Sequence, residues 1–190
     1  MKLPAYSALV AAMLSASVLL TACSDNDEDT AIVTPVVVEP TPKTISLEKI
    51  GGFATGVFGA SAAEIPAFDP TSKRGFVVNA QKGAIDVLDL SNPAAPKFIR
   101  SLDATAIAAN AVVNSVAVKN GIVAVAIESL PKTANGFVGF YKASDLSLIS
   151  SIGVGAQPDM LTFSPDGKTV LVANEAEPSD DYQIDPAKWF

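Results

Sequence analysis

From about residue 60 onward, hydrophobic positions come in short bursts separated by Gly, Pro, Asn and Asp, and no stretch carries the spacing of an amphipathic helix. The bursts fall into groups of four. Residues 63–70, 75–79, 84–90 and 97–102 form one group, and 113–118, 122–128, 136–141 and 147–152 a second. A third group starts with 158–163 and 169–174. Alternating β-branched and aromatic residues in runs this short predict strands, and the recurrence at roughly 45 to 50 residues predicts a repeat architecture.

The connections agree with antiparallel pairing. Ser164-Pro165-Asp166-Gly167 suits a type I turn, because Pro165 presets φ at the second position and Gly167 fits the fourth; Asn120-Gly121 suits the tight primed turn of a hairpin. Gly51-Gly52 and Gly153-Val154-Gly155 lack a following helical pattern or a Lys-Ser/Thr pair, so they read as turns between units rather than phosphate loops. The predicted fold is all-β: a β-propeller of four-stranded antiparallel blades, incomplete at about two and a half blades, with blades at about 60–105, 110–155 and 156–190. A β-sandwich gives strands at the same spacing. Since propellers close with roughly four to eight blades, the expectation is an N-terminal fragment in which 45–50 supplies the outer strand of a final blade. Phe68, Phe76, Phe137, Phe140 and Phe163 fall on strand positions and are expected in the core.

The first 44 residues are of another kind. Lys2 precedes an apolar run of about 16 residues, short of the ~20 needed to span a bilayer, which marks a signal peptide over 1–22. Leu20-Thr21-Ala22-Cys23 resembles the bacterial lipobox and contains the only cysteine. Cys23 is therefore the expected lipidation site, and three acyl chains exceed the two signals that lasting attachment requires. From 23 to 44 an acidic start, Ser24-Asp25-Asn26-Asp27-Glu28-Asp29, gives way to a stretch punctuated by Pro35, Pro40 and Pro42, and the composition is that of an extended, self-repelling tether. Ser24, where an aspartate would resemble an inner-membrane retention signal, favours an outer-membrane location, periplasmic or surface-exposed.

Charge and composition then narrow the function. The chain carries 13 basic and 20 acidic residues, and cleavage before Cys23 removes Lys2 and no acid, so nucleic acid is a poor partner. Histidine is absent, which excludes a Ser-His-Asp triad within these residues and removes the commonest transition-metal ligand. Strand direction places Glu64, Asn114 and Asp159 at the same opening as Asn79, Glu128, Asn174 and Glu175, and the loop after the tenth burst adds Glu177, Asp180, Asp181 and Asp185. Carboxylates with asparagine carbonyls suit calcium, with Glu64, Asp159, Glu175 and Glu177 as the candidate ligands. The alternative role for the same residues is hydrogen bonding to backbone at strand starts and solvation of a loop. Tyr182 and Trp189, beside acidic residues, offer a platform for a sugar.

Ser164-Pro165-Asp166-Gly167-Lys168-Thr169-Val170-Leu171-Val172-Ala173-Asn174 resembles the YVTN-type propeller repeat, a WD40-like blade. The wider stretch 45–182 is similar to the choice-of-anchor I family of bacterial surface propellers, through Gly56-Val57-Phe58, Val77-Val78-Asn79-Ala80, Val113-Asn114-Ser115-Val116-Ala117-Val118 and Asn174-Glu175-Ala176-Glu177-Pro178. That resemblance implies a cell-envelope protein, for which a lipobox is one plausible anchor. The expected function is a membrane-anchored, non-catalytic scaffold for a protein or carbohydrate ligand. The alternative is a calcium-dependent hydrolase, an alkaline-phosphatase-like phosphoesterase, since some relatives carry that label.

Overall fold

A computed structural model describes residues 44–60 and 62–187. The signal peptide, Cys23 and all but the end of the tether lie outside the described residues, as does Trp189. No helix occurs among the described residues. Ten strands follow in order: β1 (Pro66–Asp69), β2 (Arg74–Asn79), β3 (Ala84–Asp89), β4 (Lys97–Asp103), β5 (Val112–Lys119), β6 (Ile122–Glu128), β7 (Asn135–Lys142), β8 (Leu148–Ala156), β9 (Pro158–Phe163) and β10 (Val170–Asn174). They make two four-stranded sheets, β1-β2-β3-β4 and β5-β6-β7-β8, and a two-stranded sheet of β9 and β10, every pair antiparallel. This is a β-propeller carried as far as two blades and the inner half of a third.

The turns do what their residues dictate. Asn120 and Gly121 both take positive φ, 51° and 76°, the requirement of a primed hairpin turn. In the β9–β10 turn the Gly167 amide donates to the Ser164 carbonyl at 2.9 Å, and Gly167 takes φ 72°. Gly153-Val154-Gly155, expected to be a turn between blades, instead lies inside β8, which runs on to Ala156. Two small residues in an apolar setting were mistaken for a breaker; the strand turns only at Gln157, whose φ is 47°. Residues 46–50 are not in a strand.

The middle blade explains the packing. Five consecutive residues of β6, Val123 to Ile127, are buried, the pattern of a strand covered on both faces rather than one. Val123, Val125 and Ile127 join a cluster with Phe76, Val78, Ile85, Val87 and Leu102 of the first blade. Ala124 and Ala126 face the other way, toward Leu161, Phe163, Val170 and Val172 of the third. A sheet with apolar neighbours on both sides belongs to a stack of blades, and a two-layer sandwich gives each sheet only one.

Cross-blade hydrogen bonds fix the blades' relative direction. Arg74, at the start of β2, donates from Nη1 to the Ala143 carbonyl just after β7 at 2.7 Å, and Arg100 of β4 donates from Nη2 to the Leu146 carbonyl at 3.2 Å. At the opposite end of blade 2, Asn114 Nδ2 donates to the Pro158 carbonyl at 3.3 Å. Of the five phenylalanines expected in the core, Phe76 is fully buried and Phe137, Phe140 and Phe163 partly so, but Phe68 is 51% exposed. The exception has a plain cause. Ala67 takes the face of β1 that meets the core cluster, so Phe68, one residue on, points from the opposite face.

Candidate functional site

The polar residues at the blade mouths sit on irregularities of the inner strands. In blade 2 the pairing jumps from Val113–Ile127 to Ser115–Ala126, leaving Asn114 as the extra residue of a β-bulge. In blade 3 it jumps from Met160–Ala173 to Pro158–Asn174, and Asp159 is the extra residue. In blade 1 Val78 meets two residues at once: its carbonyl accepts from the Glu64 amide at 2.9 Å and its amide donates to the Ile65 carbonyl at 3.0 Å. Glu64, Asn114 and Asp159 thus hold corresponding places, each re-aimed by an extra residue.

Their bonding differs from blade to blade. Asn114 Nδ2 donates to Glu128 Oε2 at 2.9 Å, and its second bond ties blade 2 to the start of β9. Asn79 is buried and turned to structure: Nδ2 donates to Asp86 Oδ2 at 2.7 Å, and Oδ1 accepts from the Lys82 amide at 3.2 Å. Asp86 also accepts from Ser101 Oγ at 2.5 Å and from Lys82 Nζ at 3.3 Å. Burial by itself would raise the Asp86 pKa, but the bonds from Ser101, Asn79 and Lys82 together outweigh it and hold the carboxyl below its ordinary value. Asn174 closes β10 beside Gly155, where a Cβ on the glycine would come within 2.9 Å of the Asn174 side chain.

The acidic loop after β10 is held in place by a residue that sequence reasoning passed over. Gln157, buried between β8 and β9, accepts at Oε1 from the Glu177 amide at 2.6 Å and donates from Nε2 to Glu177 Oε2 at 3.4 Å. Its own carbonyl accepts from the Glu175 amide at 2.8 Å. A lone glutamine ahead of Pro158, closing an apolar strand, was the available signal. From the β6–β7 loop, Lys132 Nζ reaches Glu177 Oε2 at 3.3 Å and Asp180 Oδ1 at 3.1 Å. The bonds to Asp180 and then Glu177 raise the Lys132 pKa, while Gln157 and then Lys132 lower that of Glu177. Asp181 caps the loop internally, accepting from Ser179 Oγ at 2.6 Å and from the Gln183 amide at 3.2 Å. Those bonds hold its carboxyl below the usual range.

Two clefts open beside Lys132. One, of about 210 Å³, is walled by Glu177, Pro178, Ser179, Asp180 and Tyr182. The other, of about 400 Å³, lies toward Glu128, Leu130, Pro131 and Thr133. Tyr182 is 79% exposed at the first. The four expected calcium ligands are not gathered in the same way: among the described residues no three Asp, Glu, Cys or His side chains are grouped to hold a metal ion. Glu64 belongs to blade 1, Asp159 and Glu175 are exposed at blade 3, and Glu177 is engaged by Lys132 and Gln157.

Stacked antiparallel blades with a polar rim of bulge residues and an ordered acidic loop define a β-propeller. The choice-of-anchor I domain matches residues 64–187, and the chain belongs to that family, which makes it a cell-surface or envelope protein. Among solved structures, the chain is similar to Kuenenia stuttgartiensis hydrazine synthase, with 19% identity over 59% of this chain and 30% of that one at a TM-score of 0.46. It is also similar to a chain of the mitotic checkpoint complex, at 12% identity over 80% and 43% and a TM-score of 0.46. A Lactobacillus plantarum protein shows 19% identity over 60% and 35% at a TM-score of 0.45. The chain spans less than half the length of each. No curated protein matches it.

Proposed function

We propose that this protein is an exported lipoprotein whose propeller serves as a non-catalytic binding scaffold. Residues 1–22 act as the signal, Cys23 carries the lipid, and 23–44 form a tether that holds the blades away from an outer membrane. The observation that carries the binding role is the rim at blades 2 and 3. Gln157 and Lys132 hold an acidic loop in a fixed shape, while Asp180 and Tyr182 are left exposed beside two clefts. A loop made rigid from beneath presents polar and aromatic groups at little cost in conformational entropy on binding. A carbohydrate or a protein segment with hydroxyl and cationic groups fits that chemistry.

Two measurements test it. Labelled palmitate enters the protein and is lost in Cys23→Ser, which also leaves the membrane fraction; unchanged membrane retention refutes the anchor. Binding to envelope polysaccharides, followed by calorimetry, falls in Tyr182→Ala without loss of thermal stability. Hydrolysis of a generic phosphoester that disappears in Glu64→Gln would replace the scaffold with an enzyme.

A further inference from the structure

The two clefts at the rim form one trough. Lys132, Ser179 and Asp180 wall both, so the ion pair of Lys132 with Asp180, at 3.1 Å, is their common boundary. The smaller cleft, about 210 Å³, falls short of the roughly 300–1,000 Å³ usual for a ligand site, and the two joined lie within that range. An occupant that fills the space therefore spans both.

The two halves repeat one another. On one side of the ion pair stand the exposed Tyr182 ring, Pro178 and Glu177; on the other stand Leu130, 56% exposed, Pro131 and Glu128. Each half thus has an apolar platform and one glutamate. Both glutamates are pinned through a single oxygen: Glu128 Oε2 accepts from Asn114 at 2.9 Å, and Glu177 Oε2 accepts from Lys132 at 3.3 Å and Gln157 at 3.4 Å. Among the described residues Oε1 of neither takes a hydrogen bond, so each half keeps an acceptor held in place. Between them, Lys132 Nζ carries three N–H groups and spends two on Glu177 and Asp180, which leaves one donor at the centre.

Acceptors at both ends with a donor in the middle select the ligand. A hydroxyl donates and accepts, so a polyhydroxyl chain satisfies both kinds of group; an ammonium meets only the acceptors and an anion only the donor. Anionic polymers are also repelled by Asp180, whose side chain is 97% exposed, together with Glu128 and Glu177. Two platforms on either side of one polar crossing suit rings that are apolar on the face and polar at the edge, joined in a line. We infer that the trough binds a linear, uncharged oligosaccharide, with one sugar ring on Tyr182, another on Leu130, and the linkage between them crossing the Lys132–Asp180 pair. This rests on the reading of the rim as the binding face, and narrows its ligand to one class.

The test is calorimetry on the full chain with neutral glucan, mannan and galactan oligomers, from monosaccharide to hexasaccharide, beside polygalacturonate and a lysine-rich peptide. Affinity for at least one neutral series should rise about tenfold or more from the single sugar to the oligomer, as linked subsites require. Tyr182→Ala and Leu130→Ser, both at exposed positions, should each abolish that gain with the melting temperature unchanged. Equal affinity for single sugar and oligomer, or a gain that survives Leu130→Ser, would overturn the two-subsite trough. Failure of every neutral series, or tighter binding of polygalacturonate, would overturn the ligand class. Tyr182-dependent binding of the lysine-rich peptide alone would do so too while leaving the scaffold reading in place, whereas oligomer binding indifferent to Tyr182→Ala would remove both by moving the site off this rim.

Discussion

Asp86→Ala probes a buried carboxylate network in blade 1. The substitution removes the acceptor for Asn79 Nδ2, and Asn79 is 1% exposed, so an amide donor is left buried without its partner, at a cost of about 1–3 kcal/mol. Loss of the Ser101 bond adds about 1 kcal/mol. The Lys82 contact adds little, because that side chain is 49% exposed and screened by solvent. The sum is about 2–4 kcal/mol, read as a shift of the urea midpoint at pH 7 with unchanged slope. The charge predicts a pH dependence as well. Asp86 has its pKa depressed by folding, so its stabilisation is fully present above the unfolded value of about 3.9 and is lost as pH falls through the lower folded value. Wild type and Asp86→Ala should therefore converge in stability between pH 4 and lower pH, roughly within that acid window. In Asn79→Ala/Asp86→Ala the orphaned donor is gone, and the double variant should be less destabilised than the sum of the singles by about 1–2 kcal/mol. Strict additivity, or the same gap between wild type and variant at acid and neutral pH, would refute the reasoning.

Four further outcomes follow from the contacts described. Gly136→Ala places a Cβ 2.5 Å from both the Ile127 carbonyl and Pro158 Cδ, so it should lower stability by about 1–3 kcal/mol and loosen blade 3 against blade 2, visible as faster exchange at β9. Ser115→Ala removes the hydroxyl that the buried Leu161 amide reaches at 3.4 Å and should cost about 1 kcal/mol in the same urea assay. Lys132→Ala leaves the melting temperature nearly unchanged but speeds protease cleavage within 175–187, an effect that salt should reproduce in wild type. Millimolar calcium tests the expected ligand set of Glu64, Asp159, Glu175 and Glu177 directly: a rise in melting temperature that Asp159→Asn abolishes would establish a site there, and an unchanged melt would remove it.

The strands were readable because each combines two agreeing signals, an alternating or continuous apolar run and a turn whose residues demand a particular φ. Asn120-Gly121 and Ser164-Pro165-Asp166-Gly167 placed the hairpins, whereas the covering of β6 on both faces emerges only from the structure. The bulges were not readable. Nothing in the composition of Val113-Asn114-Ser115 says that Asn114 drops out of register, yet that slip aims its amide at both Glu128 and Pro158. Gly153-Val154-Gly155 failed for the opposite reason: glycine weakens a strand by a fraction of the energy that its neighbours' pairing with β7 supplies, and tertiary context prevailed. Gln157 escaped notice because its role is assembled from a loop 20 residues away. Asp86 was passed over as one more strand residue, since burial of a carboxylate appears only when Asn79, Lys82 and Ser101 are brought around it.

The most direct test of the blade stack is a methyl-resolved nuclear Overhauser spectrum of β6. It should show contacts from Val125 into the cluster of Phe76 and Val87 and, from Ala126 one residue on, contacts to Leu161, so that adjacent residues touch different sheets. A spectrum in which one of those two faces has no inter-sheet contact, its methyls open to solvent, would contradict a propeller and leave a two-layer arrangement.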